Sequence, residues 1–246
     1  MFRNMNILQG FIDATKCIMQ DWKSYLIYMV LQATILFIYI RKVIEHTTDL
    51  DFLQYRSFIG TSGFMYIILM SLVAYFLMML IQVDMIKTTS DLKDKKEHQM
   101  LYRIGFTIGK SPKLLGVWIL MILPIVALLY IMSQFITSIS AVIALVVLVI
   151  LYIVFLSFIN HGIIISAASI FETIEESILI VKSNLPHYLL TVVVLGAIVV
   201  VVNMIFSSND IFTLLIKSTL NAVTYVIGVT WMTVLYKQAQ PYDENL

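Results

Sequence analysis

No aspartate, glutamate, lysine or arginine occurs between Lys113 and Glu172, and this uncharged stretch limits what the chain can fold into. A helix needs about 20 apolar residues to cross a bilayer, so the stretch can hold two such helices joined by the polar segment SQFITSIS at 133–140. Soluble domains are about a quarter charged, whereas this chain of 246 residues is 13% charged and 60% hydrophobic. We therefore expect an integral membrane protein.

Six segments have the length and polarity of a membrane-spanning helix. They cover residues 24–40, 57–83, 114–132, 139–159, 187–206 and 211–236. None shows the strict apolar–polar alternation of an outer-membrane strand, so all six should be helices. The sequence predicts an all-α membrane protein with six transmembrane helices in a single domain, residues 1–246.

An amphipathic helix is predicted before the first, third and fifth spans, at residues 3–22, 95–110 and 170–185. Each pattern ends in a polar bend or a proline, and we expect Pro112 and Pro186 to stop the second and third helices. Ser169 and Glu172 have the spacing of a capping box at the start of the third. The chain thus divides into three units, each an amphipathic helix followed by a hairpin of two spans.

The third amphipathic helix explains the charges that end the uncharged stretch. Its apolar stripe should lie in lipid or against the bundle, with the acidic residues on the opposite side. The stripe consists of Phe171, Ile174, Ile178, Val181 and Leu185. We expect Glu175 and Glu176 to face solvent.

The distribution of lysine and arginine predicts the orientation. With the N-terminus inside, the inner segments hold twelve of these residues and the outer segments hold three, Arg41, Lys42 and Arg56. Both termini are therefore expected on the cytoplasmic side. The net charge of +1 gives no indication of a nucleic-acid partner.

The last predicted span carries a polar face that is a candidate contact for a lipid or a cargo molecule. Lys217, Asn221 and Thr224 recur at helical spacing there, and Asn203 on the preceding span is a candidate partner. Polar groups inside a membrane are costly and usually face the bundle or water. The alternative for Lys217 is that it reaches the outer head groups without a specific partner.

A second candidate site is a cytoplasmic face that would contact a partner protein. Its residues are Glu172, Glu175, Glu176, Lys95 and Lys96. The alternative is an ordinary solvated surface.

No pattern in the sequence indicates catalysis. The segment GFTIGKS at 105–111 has three residues where the phosphate-binding loop needs four, and the single cysteine, Cys17, excludes a cysteine-based metal site. We expect neither an enzyme nor a cofactor.

The segment FINHGIIISAASIFETIEESILIVKSNLPHYLL, at 158–190, resembles the signature of a bacterial family of six-span proteins. In that family a span leads into a short apolar segment, an acidic residue, a helix with a serine and the next span. Glu172, Glu176, Ser177 and Ser183 fall near those places. The segments IGKSPKLLGVWIL and VTWMTVLYKQ resemble the same family. It is the membrane domain associated with glycerophosphodiester phosphodiesterases, together with stand-alone relatives of unknown function.

This resemblance implies a membrane module in the bacterial cytoplasmic membrane and no active site. The chain departs from the family in lacking a proline in IIISAAS and in lacking the phosphodiesterase domain, which begins with His-Arg-Gly. A first hypothesis is a non-catalytic module that organises lipids or a partner protein. The alternative is the permease subunit of an ATP-driven exporter of peptides or lipids, in which residues 87–113 would contact the ATPase subunit.

Overall fold

The computed structural model describes residues 5–47, 62–96, 100–135, 148, 152, 154–166 and 169–240. Every regular element in these ranges is a helix. In chain order they are α1 (Ile7–Gln20), α2 (Trp22–Thr47), α3 (Ser62–Lys93), α4 (Met100–Phe135), α5 (Ile159–Ile165), α6 (Ile170–Ser183), α7 (Leu185–Ile205) and α8 (Ile211–Ala239).

Four helical segments are long and apolar enough to cross a membrane. They are Trp22–Glu45, Leu69–Lys93, Leu185–Ile205 and Ile211–Ala239. They correspond to the first, second, fifth and sixth predicted spans and confirm an all-helical chain with the character of a membrane protein. The third predicted span, 114–132, is helical within α4, and most of the fourth, 139–159, lies outside the described residues. Six spans therefore remain a prediction.

Helices α2, α3 and α8 pack against one another and form the centre of the bundle. Buried apolar side chains fill the space between them, among them Tyr25, Met85, Ile86 and Val226. Helix α1 lies against α8 and also contacts α3, while α5 joins α3 to α6. The first and last long helices are thus direct neighbours.

Helix α7 is apolar on all sides and packs mainly against α8. Its buried residues are Tyr188 and Thr191, both in its first half, whereas Val193 is 63% and Met204 73% exposed. An all-apolar helix with an open surface is stable when lipid covers that surface. This exposure fits a membrane-spanning position for α7.

Helix α1 lies where the sequence predicted the first amphipathic helix, and its amphipathic character remains a prediction. Its buried side uses small residues such as Gly10 and Cys17, and a Cβ at Gly10 would lie only 2.7 Å from Cδ2 of Leu235 on α8. Its apolar residues Leu8 and Met19 are 70% and 71% exposed. The small side therefore packs on the bundle, and the large apolar side chains are left for lipid.

The expectation that Pro112 stops a helix is wrong. Helix α4 runs without interruption from Met100 to Phe135 and contains both Pro112 and Pro124. Proline removes the N–H that would bond the carbonyl four residues earlier, which for Pro112 is the carbonyl of Ile108. The hydroxyl of Ser111 donates to that carbonyl at 2.8 Å, and such side-chain replacement lets membrane helices tolerate proline.

The other two predicted breaks are present. Helix α1 ends before Asp21, and α6 ends before Asn184, with Pro186 in the first turn of α7. The capping box is confirmed: the Glu172 N–H donates to Ser169 Oγ at 3.3 Å, and the Ser169 N–H donates to Glu172 Oε2 at 2.7 Å. In the second unit, α4 continues through the expected break at Pro112. The division of the chain into three units, each an amphipathic helix followed by two spans, therefore remains a prediction.

Candidate functional site

Three helices are tied together by ion pairs at one end of the bundle, which we call the charged end. Lys93 at the end of α3 bonds Asp13 of α1 at 2.8 Å. Lys237 near the end of α8 pairs with Asp94 and donates to the carbonyl of Ser90 at 3.2 Å. Helix α1, the end of α3 and the end of α8 therefore meet here.

The carboxyl group of Asp13 is held in its charged form. Desolvation raises its pKa, but hydrogen bonds from Lys93 and Gln9, with the charges of Lys93 and Lys16, lower it by more. The pKa of Asp13 therefore lies below its ordinary value of 3.8.

The last third of α3 carries buried polar residues that the sequence analysis did not single out. Thr88, Thr89 and Asp91 are all at most 5% exposed. The Tyr25 hydroxyl lies 2.7 Å from that of Thr89. Such a polar segment is stable inside a bundle only when its groups are hydrogen-bonded.

A cavity of about 380 Å³ lies beside this segment, between α2, α3 and the start of α4. We call it the lateral cavity. Its walls are mainly apolar, and its polar residues are gathered toward the charged end. The lining residues are Ser24, Ile27, Tyr28, Leu31, Leu80, Ile81, Asp84, Arg103, Ile104, Thr107 and Ile108.

The lateral cavity is open on the side that faces away from the bundle. Ile27 and Leu31 are about half exposed, and Ile108 is 63% exposed. From Ser24 to Leu31 the wall extends about 10 Å along α2, at 1.5 Å per residue. The cavity therefore combines a polar end with an apolar trough that is open to the outside of the bundle.

Arg103 contributes the positive charge at the polar end. Its Nη1 donates to Thr88 Oγ1 at 2.7 Å, and its Nη2 lies 3.4 Å from Ser24 Oγ. The Asp21 carboxylate lies 3.8 Å from Nη1 and forms a long ion pair with it. The Arg103 side chain is only 15% exposed, so a mostly buried guanidinium is bonded to two hydroxyl groups and paired at long distance with one carboxylate.

Asp84 contributes a negative charge to the same cavity. Its Oδ2 accepts a 2.6 Å hydrogen bond from the Tyr28 hydroxyl, and that hydroxyl lies 3.0 Å from Thr88 Oγ1. Arg103 and Asp84 are thus connected by a continuous chain of three hydrogen bonds through Thr88 and Tyr28.

Three buried polar atoms that have no hydrogen-bond partner among the described residues belong to side chains lining this cavity. They are Arg103 Nε, Asp84 Oδ1 and Thr107 Oγ1. Native proteins rarely leave buried polar atoms unpaired, because each costs about 1–3 kcal/mol. Their clustering indicates a place where a polar ligand or water completes the bonding.

A second cavity, of about 280 Å³, lies deeper between α3, α5, α7 and α8. His161 lines it and is 2% exposed; backbone groups of Ser157 and Val229 lie near its ring nitrogens, but neither nitrogen has a hydrogen bond of good geometry among the described residues. The Asn160 amide donates to Gln82 Oε1 at 3.3 Å nearby. Thr224, from the polar face predicted for the last span, also lines this cavity, as does Gly228.

The structure separates the other residues of that predicted face. Lys217 is half-exposed and has no hydrogen bond or ion pair in the described part of the chain. Asn203 donates to the carbonyl of Val199 on its own helix at 2.7 Å, so it is not paired with Lys217. Asn221 Oδ1 is buried without a partner in the described residues.

The predicted partner face is also divided. Glu175 is exposed, as expected, but the solvent-facing prediction for Glu176 is wrong. Glu176 Oε1 accepts a 2.8 Å hydrogen bond from the hydroxyl of Tyr236 on α8. Three residues earlier, Thr173 is fully buried. The inward side of α6 therefore includes Thr173 and Glu176 as well as Val181 of the apolar stripe, which is fully buried.

Lys95 and Lys96 are exposed just after α3, far along the chain from Glu172 and Glu175. Lys95 has a positive φ of 55°, typical of a residue that ends a helix. Lys96 lies 3.9 Å from Asp94. Among the described residues no ion pair joins these lysines to the acidic residues of α6, so the five residues do not form one described cluster.

The sequence analysis missed Arg103, Asp84 and Tyr28 as a group. One signal was available: Asp84 is the first charged residue after the uncharged segment 57–83, so it must lie near the membrane boundary. Its proximity to Arg103 depends on the packing of three helices and could not be obtained from spacing.

Comparison with known proteins returns no match to the chain among family models, curated proteins or solved structures. The resemblance to the membrane domain associated with glycerophosphodiester phosphodiesterases remains a prediction from the motifs.

Proposed function

We propose that the chain is a non-catalytic membrane module that binds a phospholipid in the lateral cavity. One observation carries the proposal: a mostly buried arginine, with a long ion pair of 3.8 Å to Asp21 and an unpartnered Nε in the described chain, stands at the polar end of an apolar trough. Ligand pockets of about 300–1,000 Å³ with apolar walls and a few fixed polar groups are typical binding sites. The cavity volume of about 380 Å³ falls in that range.

The chemistry of Arg103 supports a phosphate as the bound group. A guanidinium has five N–H donors and no acceptor, and its planar geometry matches phosphate oxygens. Thr88 and Ser24 occupy only two of those donors, and Nε has no partner in the described chain. A phosphate would supply the acceptor that Nε lacks and would place a negative charge directly against the guanidinium.

The apolar walls support an acyl chain as the other part of the ligand. Ile27, Leu31 and Leu80 extend away from the polar end. Burial of apolar surface contributes roughly 25 cal/mol per Å², and a wall open toward the bilayer allows a lipid to enter sideways. The site would therefore hold a lipid of the leaflet at the charged end, which the charge distribution predicts to be the cytoplasmic one.

The alternative of an exporter permease has less support. It requires residues 87–113 to present a surface to an ATPase subunit; Thr88, Thr89 and Asp91 are buried, so such a surface would be confined to the exposed residues further along the segment, such as Lys95 and Lys96. A stoichiometric complex with an ATPase whose hydrolysis the chain stimulates would favour the exporter instead.

Native mass spectrometry of the purified protein tests the lipid-binding function. Wild type should retain one tightly bound phospholipid that Arg103→Gln loses, and Arg103→Lys should retain it less well because an ammonium lacks the planar donors. Lys16→Gln removes an exposed charge from the same end of the bundle and is the matched control; it should behave as wild type. Equal retention by wild type and Arg103→Gln would refute the proposal.

The same experiment separates this site from the one predicted on the last span. Lys217→Gln should retain the lipid if the lateral cavity is the binding site. If Lys217→Gln lost the lipid and Arg103→Gln kept it, the lipid would bind at the polar face of α8 that carries Lys217, and not in the lateral cavity.

A further inference from the structure

We infer that the lateral cavity selects a zwitterionic aminophospholipid, a lipid whose head group carries both a phosphate and an amine with N–H donors. This inference rests on the proposed lipid-binding function and specifies the ligand class of the same site. It follows from the two opposite charges at the polar end, Arg103 and Asp84, and from the atoms that they leave unpaired.

Asp84 requires a donor from the ligand. A carboxylate only accepts hydrogen bonds; Oδ2 is bonded by the Tyr28 hydroxyl, while Oδ1 is buried and has no partner among the described residues. A ligand that carried only phosphate oxygens would place further negative charge beside Asp84 and would leave Oδ1 unpaired. An ammonium group would give Oδ1 both a donor and an opposite charge.

The hydrogen-bond chain between the charges has a fixed direction. Arg103 can only donate, so Thr88 Oγ1 accepts at 2.7 Å. Tyr28 donates to Asp84 at 2.6 Å, so the Thr88 hydroxyl is the donor in its 3.0 Å contact with Tyr28. Every proton in the chain therefore points from Arg103 toward Asp84, and the two charges are held apart at defined positions before a ligand binds.

The charge balance of the site also favours a zwitterion. Arg103 contributes one positive charge, Asp84 one negative charge, and the Asp21 carboxylate lies 3.8 Å from Arg103. An anionic lipid would add a negative charge to a polar end that already holds two carboxylates. Thr107 Oγ1, which is also unpartnered in the described chain, can donate to a phosphate oxygen or accept from an ammonium.

The head groups of common phospholipids differ in the donors that they offer Asp84. Ethanolamine has three N–H donors with a positive charge, glycerol has neutral hydroxyl donors, and choline has a positive charge but no N–H. The order of binding should be phosphatidylethanolamine, then phosphatidylglycerol and phosphatidylcholine. The loss of a charge-assisted hydrogen bond should weaken binding by about tenfold or more.

The experiment is a competition between these three lipids, with identical acyl chains and equal concentrations, for the delipidated full-length protein. Bound lipid is read by native mass spectrometry. Wild type should prefer phosphatidylethanolamine by about tenfold, Asp84→Asn should bind the three lipids about equally, and Arg103→Gln should lose all three. Asp210→Asn is the control, because it removes an exposed carboxylate at the other end of α8 and asparagine also caps a helix; it should keep the preference.

A series of ligands on wild type keeps the inference testable if Asp84→Asn does not fold. Mono- and dimethylated phosphatidylethanolamine should still bind better than phosphatidylcholine, with the largest loss when the last N–H is replaced by a methyl group. Equal binding of the three lipids by wild type, or a preference for phosphatidylglycerol, would overturn the head-group assignment and leave the lipid-binding function in place. Binding of none of the three would overturn the lipid-binding function itself.

Discussion

Gly162 lies where α5 meets α6, and replacing it with alanine should push these helices apart. A Cβ at position 162 would lie 2.6 Å from Cγ2 and 3.1 Å from Cβ of Thr173. Carbon atoms in favourable contact are about 3.5–4.0 Å apart, so the first distance is short by about 1 Å. Thr173 cannot rotate away freely, because its hydroxyl donates to the carbonyl oxygens of Ser169 and Ile170.

Two opposing effects determine the free-energy change of Gly162→Ala. Overpacking in a closed site costs about 1–3 kcal/mol, whereas alanine stabilises a helix relative to glycine by up to about 1 kcal/mol. Gly105→Ala is the matched control, because nothing lies within 4 Å of its new Cβ in α4 and only the stabilising effect applies. The two variants should therefore differ by the overpacking energy, about 1–3 kcal/mol.

Thermal unfolding in detergent, followed by intrinsic fluorescence, measures this difference. Gly162→Ala should melt several degrees below Gly105→Ala, since about 1 kcal/mol shifts the midpoint of a chain this size by about 2–4 °C. Adding Thr173→Ser removes Cγ2, keeps the hydroxyl and should restore most of the loss. If Gly162→Ala melted as high as Gly105→Ala, the close contact between α5 and α6 would be refuted.

Three further predictions concern the charged end and the inward side of α6. Because the folded protein lowers the pKa of Asp13, the contribution of Asp13 to stability is present above its ordinary pKa of 3.8 and is lost as pH falls through the folded value. Wild type should therefore melt at a higher temperature than Asp13→Asn near neutral pH, and this difference should disappear at acidic pH. A difference that grew on acidification would contradict the Asp13–Lys93 pair. Tyr236→Phe removes the donor to Glu176 and should destabilise the protein by about 1–3 kcal/mol. Tyr39→Phe is the control and should destabilise it less, because the Tyr39 hydroxyl lies 3.1 Å from that of Ser71 at a partly exposed site. Equal melting of the two variants would refute the role of Glu176. A cysteine at Lys95 should react with an impermeant reagent only in opened cells, and labelling in intact cells would reverse the predicted orientation.

The boundaries of the last two predicted spans agree closely with the structure. The last predicted span, 211–236, corresponds to α8 at Ile211–Ala239, and the fifth, 187–206, to α7 at Leu185–Ile205. These limits depend on local features: the polar turn SSND and the capping residue Asp210, whose side chain accepts from the Thr213 N–H at 2.9 Å. Local hydrogen bonding is encoded by neighbouring residues and can therefore be predicted.

The side of each helix that faces the bundle was predicted less well, because in a membrane both sides can be apolar. The apolar stripe of α6 leaves Phe171 80% exposed, while Thr173 and Ser177 are buried. The Ser177 hydroxyl donates to the carbonyl of Phe155 at 2.7 Å, a contact between residues distant in sequence. Small polar residues allow helices to approach closely in lipid, so hydrophobicity alone does not identify the packed side.

The lateral cavity could not be predicted for the same reason. Its polar groups come from three helices, and no segment of the sequence contains more than a part of the arrangement. In the sequence, nothing distinguishes Arg103 from the other charged residues of a predicted amphipathic helix, or Tyr28 from the other aromatic residues of a predicted span. Only the packing of α4 on α3 brings Arg103 to Thr88 and so to Asp84.

Photo-crosslinking tests most directly whether a lipid occupies the lateral cavity. The protein is reconstituted in bilayers with a phosphatidylethanolamine that carries a photoreactive group in its acyl chain, and the labelled residues are located by peptide mass spectrometry. Labelling should be concentrated at Ile27, Leu31, Leu80 and Ile104, and excess unlabelled phosphatidylethanolamine should suppress it. Uniform labelling of these residues and of the exposed α7 residues Val193 and Val200, with no suppression, would contradict a specific lipid site.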